Sequence, residues 1–468
     1  MVAAAIIRNP SEIFREAVVR ATGDCLAGRR FLRDALQLEF ERRRIPPEER
    51  GPANELASGI VRRKITLDHI LTAFSDLPLV ELHPLLLSIL RLGAYEILFT
   101  DDVPAHAAVN EAVNLTKRLV RAAFGGFTNA VLRTLSRSIE RKYRTESFVA
   151  MRTELPAVEG GVVRFSRELF SDPVTDPLAY LNEAGGMPRW VLERWRKNYG
   201  LEQTRRLVDA SNSKPPVAIR VNRLKTTVEE LMQKLSDAGV SARPGDVPWS
   251  LVIESPVTLT ELDSFRAGEF YIQDTSAMRA PEALAPKPAE KVLDLCAAPG
   301  GKTTQLAEIT LGRARIFALD ESPERLRLVE ENASRLGITC IRTGIGNARK
   351  IADPWRATFG ATLADVPCSN TGVLRRRVEA RHRLTPDDIT RLADMQADIL
   401  ETALLSVRPG GRVVYSTCSI EPEENGELVR RLLARHTTLL LDFEETVLPE
   451  AEGPDGAYIA RLTDTRRG

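Results

Sequence analysis

Cysteine is sparse and irregularly placed in this chain. Cys25, Cys296, Cys340, Cys368 and Cys418 form no CxxC pair and no zinc-ligand spacing, so the sequence lacks the marks of a disulfide framework or a structural zinc site and points to free thiols without a metal. An excess of one charge is missing too. The 65 Lys and Arg stand against 64 Asp and Glu, leaving a net charge of +1, so nucleic-acid binding has to come from local clusters rather than a global field. No run approaches the roughly 18 uncharged apolar residues of a bilayer span, which removes a membrane partner. Met1 to Pro10 has no apolar core leading to a small-residue cleavage site, and the expected location is cytoplasmic. Repeats and low-complexity tracts are absent. So are the GxxxxGK[ST] and GxGxxG turns of P-loop and dinucleotide-binding proteins.

What remains is an ordinary globular composition, 43% apolar and 28% charged over 468 residues, enough for about three domains with their own cores. From Ser11 to about Tyr143 apolar residues recur at three- and four-residue spacing, as in Leu85, Leu86, Ile89, Leu90, Leu92 and Ile97, which predicts an all-helical bundle. Around 146–176 the periodicity lapses, Gly160-Gly161 and several prolines gather, and a linker is expected. A small α+β module follows, with a helix over Pro188 to Ala210, a strand over Pro216 to Asn222, a helix over Thr227 to Ala238 and a strand over Ser250 to Ile253. From Gly268 onward short apolar strands alternate with helices. Lys291 to Leu295, Arg315 to Leu319, Ile338 to Arg342, Ala361 to Ala364 and Arg412 to Tyr415 are the expected strands of a parallel doubly wound sheet.

Two basic clusters stand out. Eight Lys or Arg and a single acid, Glu140, lie between Lys117 and Arg144, and Arg375, Arg376, Arg377, Arg381 and Arg383 form a second knot. The bland interpretation is a solvated helix face and a solvated loop. The functional one is phosphate binding.

The strand ending Val292-Leu293-Asp294-Leu295 runs into Cys296-Ala297-Ala298-Pro299-Gly300-Gly301-Lys302-Thr303. Small residues at this first crossover let backbone approach a ligand, and the helix that follows offers unpaired N–H groups. Asp320 ends the next strand, twenty residues after Gly300, where a carboxylate can accept from both ribose hydroxyls. The spacing suits a nucleoside-bearing cofactor.

DLCAAPGGKT at 294–303, DVPCSNTGV at 365–373 and STCSIEPEENGELV at 416–429 resemble, in order and on the expected elements, three motifs of the RNA cytosine-C5 methyltransferases. GEFYIQDTSAM at 268–278 resembles the segment leading into their catalytic domain, and GPDGAY at 453–458 its closing hairpin. PPVAIRVN at 215–222 is similar to their RRM-like module, and the stretch from Leu90 to Arg133 resembles a NusB-type RNA-binding bundle. The resemblance implies a multidomain fold: an all-α NusB-like bundle over 1–145, a linker over 146–176, a small α+β RRM-like module over 177–266 and an α/β Rossmann-like class I methyltransferase domain over 267–468. That domain order resembles the bacterial branch acting on 16S rRNA. It implies S-adenosylmethionine as cofactor, small-subunit rRNA as partner, cytosine 967 in the usual rRNA numbering as target, and a monomer. The alternatives are another RNA substrate (tRNA or large-subunit rRNA), a non-catalytic RNA-binding assembly factor, or a DNA or small-molecule methyltransferase.

Carbon 5 of cytosine is a poor nucleophile, and a thiolate adding to carbon 6 activates it. Chemistry alone leaves open which thiol attacks. By the family's pattern Cys418 is the nucleophile, while Cys368 assists loss of the C5 proton and enzyme release. Asp365 is expected to bind the N3 and N4 edge of the base and to border the cofactor. The other cofactor-binding positions implied are Cys296, Ala297, Ala298, Pro299, Gly300, Gly301, Lys302, Asp320 and Asn347. Asn347 stands where the family has an acid that accepts from the adenine amino group, and the loop Arg377 to His382 departs from the family's sequence. Cys25 and Cys340 are expected to be core thiols. An accessible loop cytosine is the expected target, because stacking and pairing shield carbon 6.

Overall fold

A computed structural model describes residues 10–157 and 160–466. Residues 1–9, which carried most of the reading against a secretion signal, lie outside that range. The chain forms two compact units, Met1–Lys214 with Leu374–Arg383, and Pro215–Val373 with Leu384–Gly468. Among the described residues no helix is long and apolar enough to cross a membrane.

The first unit is built on helices from Pro10–Leu26 to Gly125–Ser138. At its centre Pro84–Phe99 is apolar nearly all round, with residues 88–98 buried, as a helix surrounded by others must be. The bundle pattern predicted helix as far as Tyr143; Ser138 instead ends the last helix and Ile139–Arg144 is strand β1. Strands β2 (Glu154–Pro156) and β3 (Gly161–Phe165) lie in the stretch expected to be a linker, and the three pair in the order β1-β3-β2. Tyr143 Oη donates to Glu154 at 2.8 Å, closing this small sheet. Helices Pro177–Glu183 and Arg189–Asn212 complete the unit, the carbonyl of Ala184 accepting from Thr66 at 3.2 Å.

The segment Leu374–Arg383 also belongs here, which corrects the expectation of a solvated loop. Arg375 and Arg381 are 2% and 1% exposed. The Arg381 guanidinium donates to the carbonyls of Ser211 (2.8 Å) and Arg62 (3.1 Å) and to Asn212 Oδ1 (3.2 Å), while His382 Nε2 bonds the Val61 carbonyl at 2.7 Å. Burial lowers the His382 pKa to about 3, so its ring stays neutral. Cys25 lies buried in the same unit, its thiol pushed up to about 11 by burial.

The second unit carries two sheets. β4 (Val217–Val221), β5 (Ala242–Pro244), β6 (Ser250–Ile253) and β7 (Phe270–Ile272) form one in the order β5-β6-β4-β7, with the helix Val228–Asp237 opened by a Thr227/Glu230 capping box. The other has seven strands: β8 (Lys291–Asp294), β9 (Arg315–Asp320), β10 (Ile341–Ile345), β11 (Phe359–Asp365), β12 (Val407–Thr417), β13 (Leu439–Val447) and β14 (Ala457–Asp464), in the order β10-β9-β8-β11-β12-β14-β13. β10 to β12 are mutually parallel, but β14 and β13 are antiparallel. The expected all-parallel sheet is therefore mixed. Ile338 was expected in the third strand, yet its N–H bonds Ala333 O and that of Gly337 bonds Ser334 O, a Schellman cap on the preceding helix. The strand starts three residues later.

Replacing Arg381 by Met should destabilise the first unit. It strips three carbonyl or amide oxygens of a buried donor, a loss of about 3 kcal/mol. For a unit of this size that corresponds to a fall of roughly 6–12 °C in Tm, measurable by calorimetry of the full chain, with the second unit's transition unchanged.

Candidate active site

Parallel pairing determines what meets at the carboxyl edge of the seven-stranded sheet. β11 and β12 run in register with Asp365 opposite Ser416, so the chains leaving them, bearing Cys368 and Cys418, emerge side by side. The two sulfurs are 3.1 Å apart. Gly372 N donates to Cys418 O at 3.0 Å, and Gly456 N to Gly372 O at 2.8 Å. A Cβ on Gly456 would lie 2.6 Å from Gly372 Cα, so the hairpin entering β14 reaches these loops only because both positions are glycine.

Asn370, in the left-handed region at φ 61°, turns its side chain back into this cluster. Its Nδ2 donates to Cys368 O at 2.8 Å and its Oδ1 accepts from Cys418 Sγ at 3.2 Å. Asp365 Oδ1 accepts from Ser416 Oγ at 2.7 Å, and Oδ2 pairs with Lys302 Nζ at 2.6 Å.

Lys302 belongs to the helix Gly301–Ile309, which opens directly after β8. Gly300 precedes it at φ 103°, and a side chain there would press on Val329, whose Cα lies 3.0 Å from the would-be Cβ. Ala297 and Ala298 are buried, Pro299 is exposed and Cys296 half-buried. Asp320, at the end of β9, accepts from Ala298 N (3.3 Å) and Ser322 N (3.1 Å), with Arg325 at 3.4 Å. This carboxylate is therefore fixed against the turn. Asn347 follows β10, the strand beyond β9, and its Oδ1 accepts from Arg349 N at 2.8 Å. Cys340 is half-buried before β10.

The hydrogen bond to Cys418, with burial, raises the Cys368 pKa well above the thiol range. Burial alone would lower Lys302, but Asp365, the Cys418 sulfur and Asp294 outweigh it and hold the ammonium charged. Burial and then neighbouring Asp294 raise the Cys296 thiol well above its usual value, which makes it inert. Asp294, hydrogen-bonded by Thr303 Oγ1 at 2.7 Å, is pushed up to about 7, chiefly by burial.

Cys368, Cys418, Asp365 and Lys302 thus converge, with the 296–301 turn leading into the helix that bears Lys302. Sequence reasoning missed Ser416, Asn370, Gln396 and Glu424. Ser416 and Asn370 sit inside the quoted motifs and were legible as polar neighbours of the cysteines. In the acidic run Glu421 to Glu424 both Glu421 and Glu424 are fully buried, and nothing in the sequence marks Glu424 as the one that meets the cysteine loops.

Family patterns match along most of the chain: "NusB family" over residues 13–137, "Methyltr_RsmF/B-like, ferredoxin-like domain" over 187–260 and "16S rRNA methyltransferase RsmB/F" over 281–463. The "Ribosomal RNA small subunit methyltransferase B" of Photorhabdus laumondii is 33% identical over 90% of this chain and 91% of its own length. The "Probable ribosomal RNA small subunit methyltransferase B" of Bacillus subtilis is 32% identical over 88% and 86%. Among solved structures, that of PH0851 has a TM-score of 0.76 and 24% identity, covering 98% of this chain and 99% of its own, a likeness of fold.

Asp294 gives a pH prediction. Its carboxyl ionises near 3.8 in the unfolded chain but near 7 when folded. Between those values the folded state binds the extra proton, and stability falls as pH rises. Asp294→Asn still accepts from Thr303 and no longer titrates. Thermal melts of the full chain should show the variant gaining on the parent between pH 4 and pH 8, by about 2 kcal/mol or more, with no further gain above pH 8.

Proposed function

The chain belongs to the RsmB/F family of 16S rRNA methyltransferases, and on that premise we propose that it methylates carbon 5 of a small-subunit rRNA cytosine, cytosine 967, through a covalent Cys418 adduct. The reading rests on one observation above all, the 3.1 Å approach of Cys368 and Cys418 beside the Lys302–Asp365 pair. A non-catalytic assembly factor would have no use for two thiols so held.

S-adenosylmethionine suits the turn over Cys296 to Lys302: helix N–H groups lie above a residue without a side chain at Gly300, and Asp320 offers a carboxylate for the ribose. Asn347 would meet the adenine through its amide. Bound there, the cofactor supplies the methyl group that carbon 5 receives.

The chain's own residues do the rest. The Cys418 thiolate, next to the Lys302 charge and the Cys368 S–H, adds to carbon 6, and the ring becomes nucleophilic at carbon 5. Asp365 holds the N3 and N4 edge of the base, keeping N3 protonated as charge develops. After transfer the C5 proton leaves to a water molecule at the site, with Cys368, whose pKa lies well above the thiol range, assisting and not accepting it. The C6–S bond then breaks, the ring regains aromaticity, and Cys418 leaves as thiolate.

The first unit supplies RNA affinity in this reading. All eight basic residues from Lys117 to Arg144 lie on the surface, on the last two bundle helices, the connection between them and β1. The Arg375 to Arg383 knot is inward-facing at Arg375 and Arg381 and contributes structure at those positions.

Two experiments test this. Cys418→Ala should abolish methyl transfer to 16S rRNA with cofactor affinity held within about tenfold, while Cys368→Ala should accumulate a gel-stable protein–RNA adduct that requires Cys418. Near-normal 5-methylcytosine from Cys418→Ala would overturn the proposal. Separately, Lys117, Arg121, Arg133 and Arg137 changed together to Gln should flatten the salt dependence of rRNA-fragment binding by roughly 0.7 in slope for each phosphate no longer neutralised. Calorimetric cofactor affinity should stay unchanged.

A further inference from the structure

The two cysteine loops converge on one carboxylate that no step of the reaction employs. Glu424 ends the short turn Pro422–Glu424 and is 0% exposed. Its Oε1 accepts from Ser369 N at 2.9 Å and from Gln396 Nε2 at 2.8 Å. Its Oε2 accepts from the hydroxyls of both Ser369 and Ser419. Ser369 adjoins Cys368, and Ser419 adjoins Cys418. Gln396, on the helix Pro386–Ser406, also donates to Pro367 O at 3.0 Å, and Tyr415 Oη on β12 donates to the Glu424 carbonyl at 2.6 Å. One side chain therefore ties the loop after β11, the loop after β12 and the helix that packs beneath them.

We propose that Glu424 is the positioning residue that holds Cys368 and Cys418 in mutual register for transfer; the inference rests on the reading of those cysteines given above. Placing a carboxylate in the interior is costly, and an apolar residue of similar size would fill the space without that cost. What the carboxylate adds is four converging acceptor contacts, two on each oxygen, that match donors from both loops. Glu424 acts through Ser369 and Ser419 and meets neither base nor cofactor, so its loss should appear in turnover rather than in binding.

The test compares Glu424→Ala and Glu424→Gln in the full chain, with a 16S rRNA fragment as substrate. Glu424→Ala should lower kcat at least about tenfold, since sub-ångström misplacement of a reacting atom is costly, while KM for the fragment and calorimetric Kd for S-adenosylmethionine stay within about twofold. Glu424→Gln retains one acceptor oxygen and should recover part of the rate. In a Cys368→Ala background, adding Glu424→Ala should slow appearance of the covalent adduct. If Glu424→Ala does not fold, Ser419→Ala, which removes a single hydroxyl donor, should show the same split on a smaller scale. Unaltered kcat in the variant that folds overturns the proposal, as does loss of kcat and cofactor affinity in equal measure. An unmodified chain that transfers no methyl group to the fragment would instead overturn the reading of the cysteines.

Discussion

Parallel pairing of β11 with β12 is the constraint from which the site follows. Strands that run the same way deliver their carboxyl ends to one edge, so Asp365 and Ser416 stand opposite each other and the next few residues of each chain are neighbours. Were β12 reversed, its Thr-Cys end would lie about 20 Å away, the length of a six- or seven-residue strand. The contact between the sulfurs, the Gly372 amide on Cys418 O and the Glu424 contacts to both loops all presuppose that edge. The antiparallel pair β14 and β13 then extends the sheet past β12, and the hairpin between them returns Gly456 to the same loops.

Two thiols in contact would be interchangeable in a symmetric environment, and this one is not symmetric. Both are half-buried, but the contact with Cys418 raises the Cys368 pKa, whereas the Cys418 sulfur donates to Asn370 Oδ1 and helps hold the Lys302 ammonium charged. Lys302 sits one residue beyond Gly301, so the helix that opens after the 296–300 turn also carries the charge at the cysteines. The turn proposed for the cofactor and the charge beside the cysteines therefore share one helix.

How much of this was legible in the sequence depended on the range of the interactions. The turn over Cys296 to Lys302, the paired cysteines and the order of the modules are local strings, and they lead to the residues that converge in space. The segment Leu374–Arg383 was not legible, because a run so rich in arginine reads as solvated. What buries Arg381 is a set of oxygens on Arg62, Ser211 and Asn212, more than a hundred residues distant in the chain. Glu424 was hidden for a similar reason. β1 looked like the end of a helix because Ile139–Arg144 pairs with a strand some twenty residues later, and Ile338 looked like strand because a Schellman cap and a buried strand both call for an apolar residue.

The small α+β module was expected as a separate RRM-like module, yet its strand β4 braces the helix that follows the 296–301 turn. Arg220 on β4 and Glu308 on the helix Gly301–Ile309 are both 0% exposed and bonded at 2.8 Å. Arg220 also donates to Gly301 O at 2.6 Å and to Thr304 Oγ1 at 2.9 Å. The Tyr271 ring on β7 sits 5.2 Å from the guanidinium, and its edge would be 3.1 Å from a Cβ at Gly301. The first turn of the helix Gly301–Ile309 is thus fixed from outside the seven-stranded sheet. Trimming the chain to that sheet and its helices would leave Glu308 buried without its cation, an arrangement that costs far more than the pair itself contributes. The module and the methyltransferase fold are therefore one folding unit, and the module's strand β4 is mechanically continuous with the turn proposed to hold the cofactor.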